Sequence, residues 1–77
     1  MNIREVFARN LRKARQERHL SQEALAHEAG VDRTYISALE RGIYSATIDM
    51  VDKLAKVLGV DAAVLLQRSS PARRRRA

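Results

Sequence analysis

Three stretches of this chain open on a short polar residue and close on glycine: Ser21 to Gly30, Asp32 to Gly42 and Thr47 to Gly59. Serine, aspartate and threonine suit the start of a helix because their side chains accept an otherwise unpaired backbone N–H. Glycine suits the end because the chain must turn there through φ > 0. Between these marks the apolar residues recur at helical spacing, and no period-two alternation lasts more than a few residues. The punctuation restricts the chain to short helices packed on one another.

The remaining segments extend the pattern. Asn2 with Glu5 three residues on forms the capping box of a first helix, whose inward stripe is Ile3, Phe7, Leu11 and Ala14 with Val6 beside it. That helix runs to about Arg18, and "ERHL" makes the connection to the next. Leu25 and Ala29 face inward from the second helix, and Ile48, Val51, Leu54, Ala55 and Leu58 from the fourth. Asp61 caps a last short helix, "AAVLLQ". The expectation is a compact all-α domain of five helices over residues 1–68, followed by a disordered basic tail over residues 69–77, "SSPARRRRA". Seventy-seven residues suffice for one such domain.

Several chemistries are excluded by what the chain lacks. It has no cysteine, which rules out disulfides and a thiolate zinc site. His19 and His27 have no carboxylate or thiol at ligand spacing, so no metal is expected. There is no nucleophile–base pair, and the glycines end helices rather than cradle phosphate, so neither an enzyme, a cofactor nor a small-molecule ligand is expected. No apolar run reaches the ~18–20 residues of a membrane span, and the N-terminus has no signal-peptide core. A soluble cytoplasmic protein is the expectation.

The block from Gln22 to Arg41 carries the functional reading. Ala26 falls where the second and third helices approach, Gly30 lies in the turn, and Ile36 and Leu39 anchor the third helix. Two helices joined by a short glycine-containing turn make a helix-turn-helix. Opposite the anchor face, Arg33, Thr34, Ser37, Ala38 and Arg41 form one stripe with small residues in its middle and cations at its ends. A helix entering the major groove of DNA needs that arrangement: arginine can bond guanine O6 and N7 bidentately, and hydroxyls and methyls meet other base edges. Arg33, Thr34, Ser37 and Ala38 are the candidate base contacts. Ser21 and Gln22, at the N–H-rich start of the second helix, are candidate phosphate contacts together with Tyr35, Arg41 and Tyr44.

The net charge of +6 agrees with a polyanionic partner but is weaker support than the stripe. Four of the fifteen basic residues are Arg73 to Arg76; without them eleven basic residues face nine acidic ones, about +2. That run can bind phosphate or merely solubilise the end, and Arg4, Arg9, Arg12 and Arg18 read as a solvated face. "AAVLL" is apolar at five consecutive positions, so no rotation hides it against one domain. Val64 and one of Leu65 or Leu66 are expected to seal the core. The remainder, with Val60, would form a two-fold interface, so Val60, Val64, Leu65 and Leu66 are the candidate dimer residues.

"SQEALAHEAGVDRTYISALERG", continued by "MVDKLAKVLGV", resembles the Cro/C1-type (XRE) helix-turn-helix family, with a lambda-repressor-like fold, over roughly residues 4–66. "DRTYIS" is further similar to the controller proteins of restriction–modification systems. The resemblance implies a homodimer that binds its operator on double-stranded DNA. It also implies an ion pair between Glu40 and an arginine of the first helix, for which Arg15 is the matching position. Where those controllers often carry an arginine after the recognition helix, this chain has "GIYSA", with Tyr44 near that place. An antitoxin or prophage repressor of the same fold, or a protein-interaction module, are the alternatives. The last wants aromatic or aliphatic anchors that the stripe does not offer.

Overall fold

The computed structural model describes residues 1–68, and the tail expected at residues 69–77 lies outside the described residues. Five helices follow one another: α1 (Ile3–Glu17), α2 (Gln22–Ala29), α3 (Arg33–Glu40), α4 (Ile48–Leu58) and α5 (Ala62–Leu66). Their starts are fixed by side chains. Asn2 and Glu5 exchange reciprocal bonds of 3.0 and 3.1 Å, Ser21 Oγ accepts from Ala24 N at 2.9 Å, and Thr47 Oγ1 accepts from Met50 N at 3.0 Å. Asp61 precedes α5 without a side-chain cap bond. No helix among the described residues is long and apolar enough to cross a membrane.

The helices enclose one core. Leu11, Leu25, Ile36, Leu39, Leu54 and Leu65 have no exposed surface, and Phe7 and Leu58 have almost none. Each such leucine or isoleucine contributes about 1.5–3 kcal/mol through burial. α1 lies against α3 and α5, α2 against α3 and α4, and α4 against α5. Ala26, 2% exposed, sits among them where α2 meets its neighbours and leaves no room for a larger side chain.

Three residues depart from the expected core. Ile3 and Ile48 are 47% and 85% exposed, because each is the first residue of its helix and projects past the end of the packed layer. In α5, Leu65 alone fills the core, while Val64 and Leu66 remain 43% and 40% exposed. One turn and a half of helix can present only one of its three large side chains inward. Arg18 is not simply solvated either: its Nη1 donates to the Leu58 carbonyl at 2.9 Å and so satisfies the end of α4.

Four helices end in the same backbone motif. After α4, Val60 N bonds Ala55 O at 3.0 Å and Gly59 N bonds Lys56 O at 3.2 Å, with Gly59 at φ 72°. After α1 the equivalent bonds run from Leu20 N to Arg15 O at 3.1 Å and from His19 N to Gln16 O at 3.0 Å, but the left-handed residue is His19, at φ 58°. A side chain there costs about 1–2 kcal/mol. His19→Gly should therefore stabilise the fold by about 0.5–1 kcal/mol, after allowing for the greater freedom of glycine in the unfolded chain. Gly59→Ala should destabilise it by about 1–2 kcal/mol, because the new methyl also meets Arg18 Nη1 at 2.7 Å. Urea unfolding of the two variants measures both shifts.

Candidate nucleic-acid interface

The helix-turn-helix is set by the end of α2. Gly30 adopts φ 73°, Val31 N donates to Ala26 O at 2.9 Å, and Asp32 starts α3 two residues later. The turn directs Ile36 and Leu39 into the core, both without exposed surface. The opposite side of α3 presents Arg33 and Thr34 exposed, Ser37 in part, and Arg41 exposed at its C-terminal end. No large apolar side chain of α3 interrupts this stripe.

Ala38, expected among the base contacts, is instead buried, at 6% exposure. It lies at the edge of the stripe, and its carbonyl accepts the Ile43 N–H at 3.0 Å in the turn that ends α3. A methyl group with so little exposed surface cannot reach a base edge. The stripe narrows to Arg33, Thr34, Ser37 and Arg41.

Thr34 is tied to the helix start. Asp32 Oδ1 accepts both its backbone N–H and its hydroxyl, each at 2.9 Å. The hydroxyl proton is thus committed, and the free part of Thr34 is its methyl group and a lone pair on oxygen. Those two bonds, the backbone one first, hold the exposed Asp32 carboxyl below its ordinary value of 3.8. A depressed carboxyl lends stability that is complete above the unfolded value and is lost as pH falls through the folded one. The bond to the Thr34 hydroxyl goes beyond the helix cap expected at Asp32, although aspartate two residues before threonine is the spacing of such a turn.

At the rim, Arg41 Nε turns back to the Ser37 carbonyl at 3.3 Å. The rings of Tyr35 and Tyr44 stand 6.4 Å apart at an interplanar angle of 40°. Tyr44 is 55% exposed and Tyr35 half-buried, so the pair bridges α3 and the loop after it. Ser21 and Gln22 lie at the start of α2 as expected for phosphate contacts, but their polar atoms have partners within the chain. The Ser21 oxygen caps α2, and Gln22 Nε2 donates to Glu40 Oε1 at 3.1 Å. One N–H of the Gln22 amide remains for another acceptor.

Beneath this face Glu40 is the one buried charged residue among the described residues, at 4% exposure. Its Oε2 accepts from Arg15 Nε at 2.6 Å, and its Oε1 from Arg15 Nη2 at 3.0 Å. Arg15 also donates through Nη1 to the Leu20 carbonyl at 2.8 Å. The hydrogen bond to Glu40 raises the Arg15 pKa above its ordinary value, so the guanidinium keeps its charge. The bidentate contact fixes α1 against α3, while Gln22 joins α2 to the same carboxylate.

Two outcomes test these bonds. Glu40→Leu strands the Arg15 charge and should cost about 3–5 kcal/mol in urea unfolding, most of it recovered when Arg15→Met is added. If the double variant is no more stable than the single one, the stranded charge is not what the loss measures. The stability difference between wild type and Asp32→Asn should be constant above about pH 5 and should shrink as pH falls below the ordinary carboxyl value.

Comparison with known proteins places this geometry. A helix-turn-helix family model matches residues 11–65. A hypothetical transcription factor of Neisseria meningitidis is 43% identical over 65 residues, 84% of this chain, and the chain spans 61% of that protein's length. The crystal structure of hypothetical transcription factor NHTF from Neisseria superposes with a TM-score of 0.83 and 42% identity, covering 86% of this chain and 76% of that one. Control protein C.BamHI of Bacillus amyloliquefaciens is 42% identical over 66 residues, 84% of this chain and 82% of its own. The restriction-modification controller protein C.AhdI from Aeromonas hydrophila superposes with a TM-score of 0.77 at 35% identity, covering 80% of this chain and 94% of that one. With its five helices and its turn at Gly30, the chain belongs to the helix-turn-helix family of DNA-binding transcriptional regulators, of the Cro/C1 (XRE) type.

Proposed function

We propose that this chain is a sequence-specific regulator of transcription that binds a pseudo-palindromic operator as a homodimer, in the manner of a restriction–modification controller. The observation that carries the reading is the exposed face of α3, where Arg33, Thr34, Ser37 and Arg41 stand clear of the core on the second helix of a helix-turn-helix. A major-groove helix needs long donors at its ends and small groups at its centre, and this face has both. It has no aromatic or aliphatic anchor of the kind that dominates protein-binding helices. The controller assignment is supported by the likeness to C.BamHI and C.AhdI. Double-stranded DNA is the partner, the cytoplasm is the compartment, and the role is regulation rather than catalysis.

In this mechanism α3 lies in the major groove and Arg33 supplies most of the direct readout. Gln22, Arg41, the Ser21 end of α2 and the rim tyrosines hold the sugar-phosphate backbone and set register. One α3 spans only a few base pairs, so a second copy supplies the other half-site about one helical turn, ~34 Å, away.

The experiment is a pair of gel-shift titrations, one on a site selected from random DNA and one on unrelated DNA. Arg33→Ala should cost about 1–3 kcal/mol on the selected site, relax preference at one base position and leave unrelated DNA nearly unaffected. Equal weakening on both DNAs would refute base reading by Arg33.

A further inference from the structure

The apolar surplus of α5 does not form one face. Leu66 lines a groove with Ile3 and Phe7. Val60 and Val64 lie in a different one, of about 420 Å³, between α1 and α5. Its charged lining is Arg9, Lys13 and Arg68 against the single acid Glu17. The groove is held open by Asn10 of α1, whose Nδ2 donates to the Leu65 and Gln67 carbonyls at 3.1 and 2.7 Å and ties down the end of α5. The chain does not neutralise the cations. Arg68 Nη1 donates to the Met1 carbonyl at 2.8 Å and Arg9 Nη1 to Met1 Sδ at 3.1 Å, both uncharged acceptors. The ion pairs among the described residues, Arg15–Glu40 and Asp52–Lys56, lie elsewhere.

We propose that this groove docks a short acidic segment of a partner protein, with carboxylates on Arg9, Lys13 and Arg68 and an aliphatic side chain on Val60 and Val64. Charge complementarity selects the occupant. A second copy related by a two-fold axis would bring the groove against itself, three cations and one acid on the same set, and those repel. The chain's own continuation, with Arg73 to Arg76, has the wrong sign. A DNA backbone has the right sign, but its phosphates and sugars offer no aliphatic side chain to cover Val64, which is 43% exposed. An acidic segment that carries leucine, isoleucine or valine meets both requirements at once.

Position keeps the site clear of α3. Arg15 reaches from α1 to Glu40 of α3. Lys13 and Glu17, two positions either side of Arg15, project ~200° away around the helix. No residue of α2, α3 or the loop between α3 and α4 lines the groove. A partner seated there stands on the back of α1, so a chain that holds DNA can hold the partner too. That simultaneous binding rests on the DNA reading above; the docking itself does not.

The test selects peptides from a displayed library of random dodecapeptides on the full chain, then titrates the tightest one, fluorescently labelled, by anisotropy. The selected peptides should be acidic and carry at least one leucine, isoleucine or valine. Lys13→Glu and Val64→Asn should each weaken binding about fivefold or more. Arg12→Glu, at an exposed position on another face of α1, makes the same change of net charge as Lys13→Glu and should weaken binding less than about twofold. Circular dichroism should show the helical spectrum in all three. A selection that yields no acidic peptide, or a peptide that Arg12→Glu weakens as much as Lys13→Glu does, would overturn the docking site. So would a Lys13→Glu variant whose DNA affinity loses roughly 0.9 more of its salt slope than Arg12→Glu loses, which would give the groove to a phosphate. A change in sedimentation with Val64→Asn would give it to a second copy and overturn the proposal equally. A peptide that binds the free chain as expected but never the DNA-bound one would overturn simultaneous binding and leave the docking site. A chain that takes the peptide but binds no DNA would overturn the DNA reading alone.

Discussion

The carboxylate of Glu40 is the point on which the arrangement of α1, α2 and α3 depends. Its two oxygens take three donated hydrogens, two from Arg15 on α1 and one from Gln22 at the start of α2. Apolar packing of Ile36 and Leu39 gives α3 its adhesion, but hydrophobic attraction has no direction and tolerates rotation and sliding of a short helix. The hydrogen bonds to Glu40 have direction. They fix how α3 is turned about its axis, and therefore which side chains point outward. The stabilisation such a pair adds is small once desolvation is counted, so its contribution is orientation more than energy.

The same carboxylate reaches the proposed phosphate-binding edge. Gln22 spends one N–H on Glu40, which holds its amide in place and leaves the other N–H for an acceptor outside the chain. Thr34 is similarly held by Asp32, and Arg41 rests on the Ser37 carbonyl. The face is thus partly organised in the free chain, which would lower the ordering cost of the DNA binding proposed for it. The acidic Asp32 at the start of α3 is an unfavourable charge for a phosphate, so that end of the helix suits contact with bases through Arg33 better than contact with backbone.

Much of this was legible in the chain. Caps at Asn2, Ser21, Asp32 and Thr47 and helix ends at Gly30, Gly42 and Gly59 are local features, governed by hydrogen bonds within a few residues, and local rules locate them. The inward positions of Leu11, Leu25, Ile36, Leu39, Leu54 and Leu58 follow from helical periodicity for the same reason. Periodicity was less informative at helix ends. Ile3 and Ile48 have the right phase but lie beyond the packed layer, and a phase says nothing about where a neighbouring helix stops. Ala38 has the phase of the stripe's edge, yet it is buried, which its position on the helix does not encode.

The amino-acid order by itself determined five short helices, their caps, the helix-turn-helix and the polar composition of the α3 stripe, because each depends on residues close together in the chain. Tertiary structure decided what depends on distant residues meeting. It joined Arg15, Gln22 and Glu40 at one carboxylate, buried Ala38, placed Leu65 rather than Val64 or Leu66 in the core, and sent the two exposed side chains of α5 to different grooves. Those outcomes are set by the angles and lengths at which helices pack, and no spacing along a single helix encodes them.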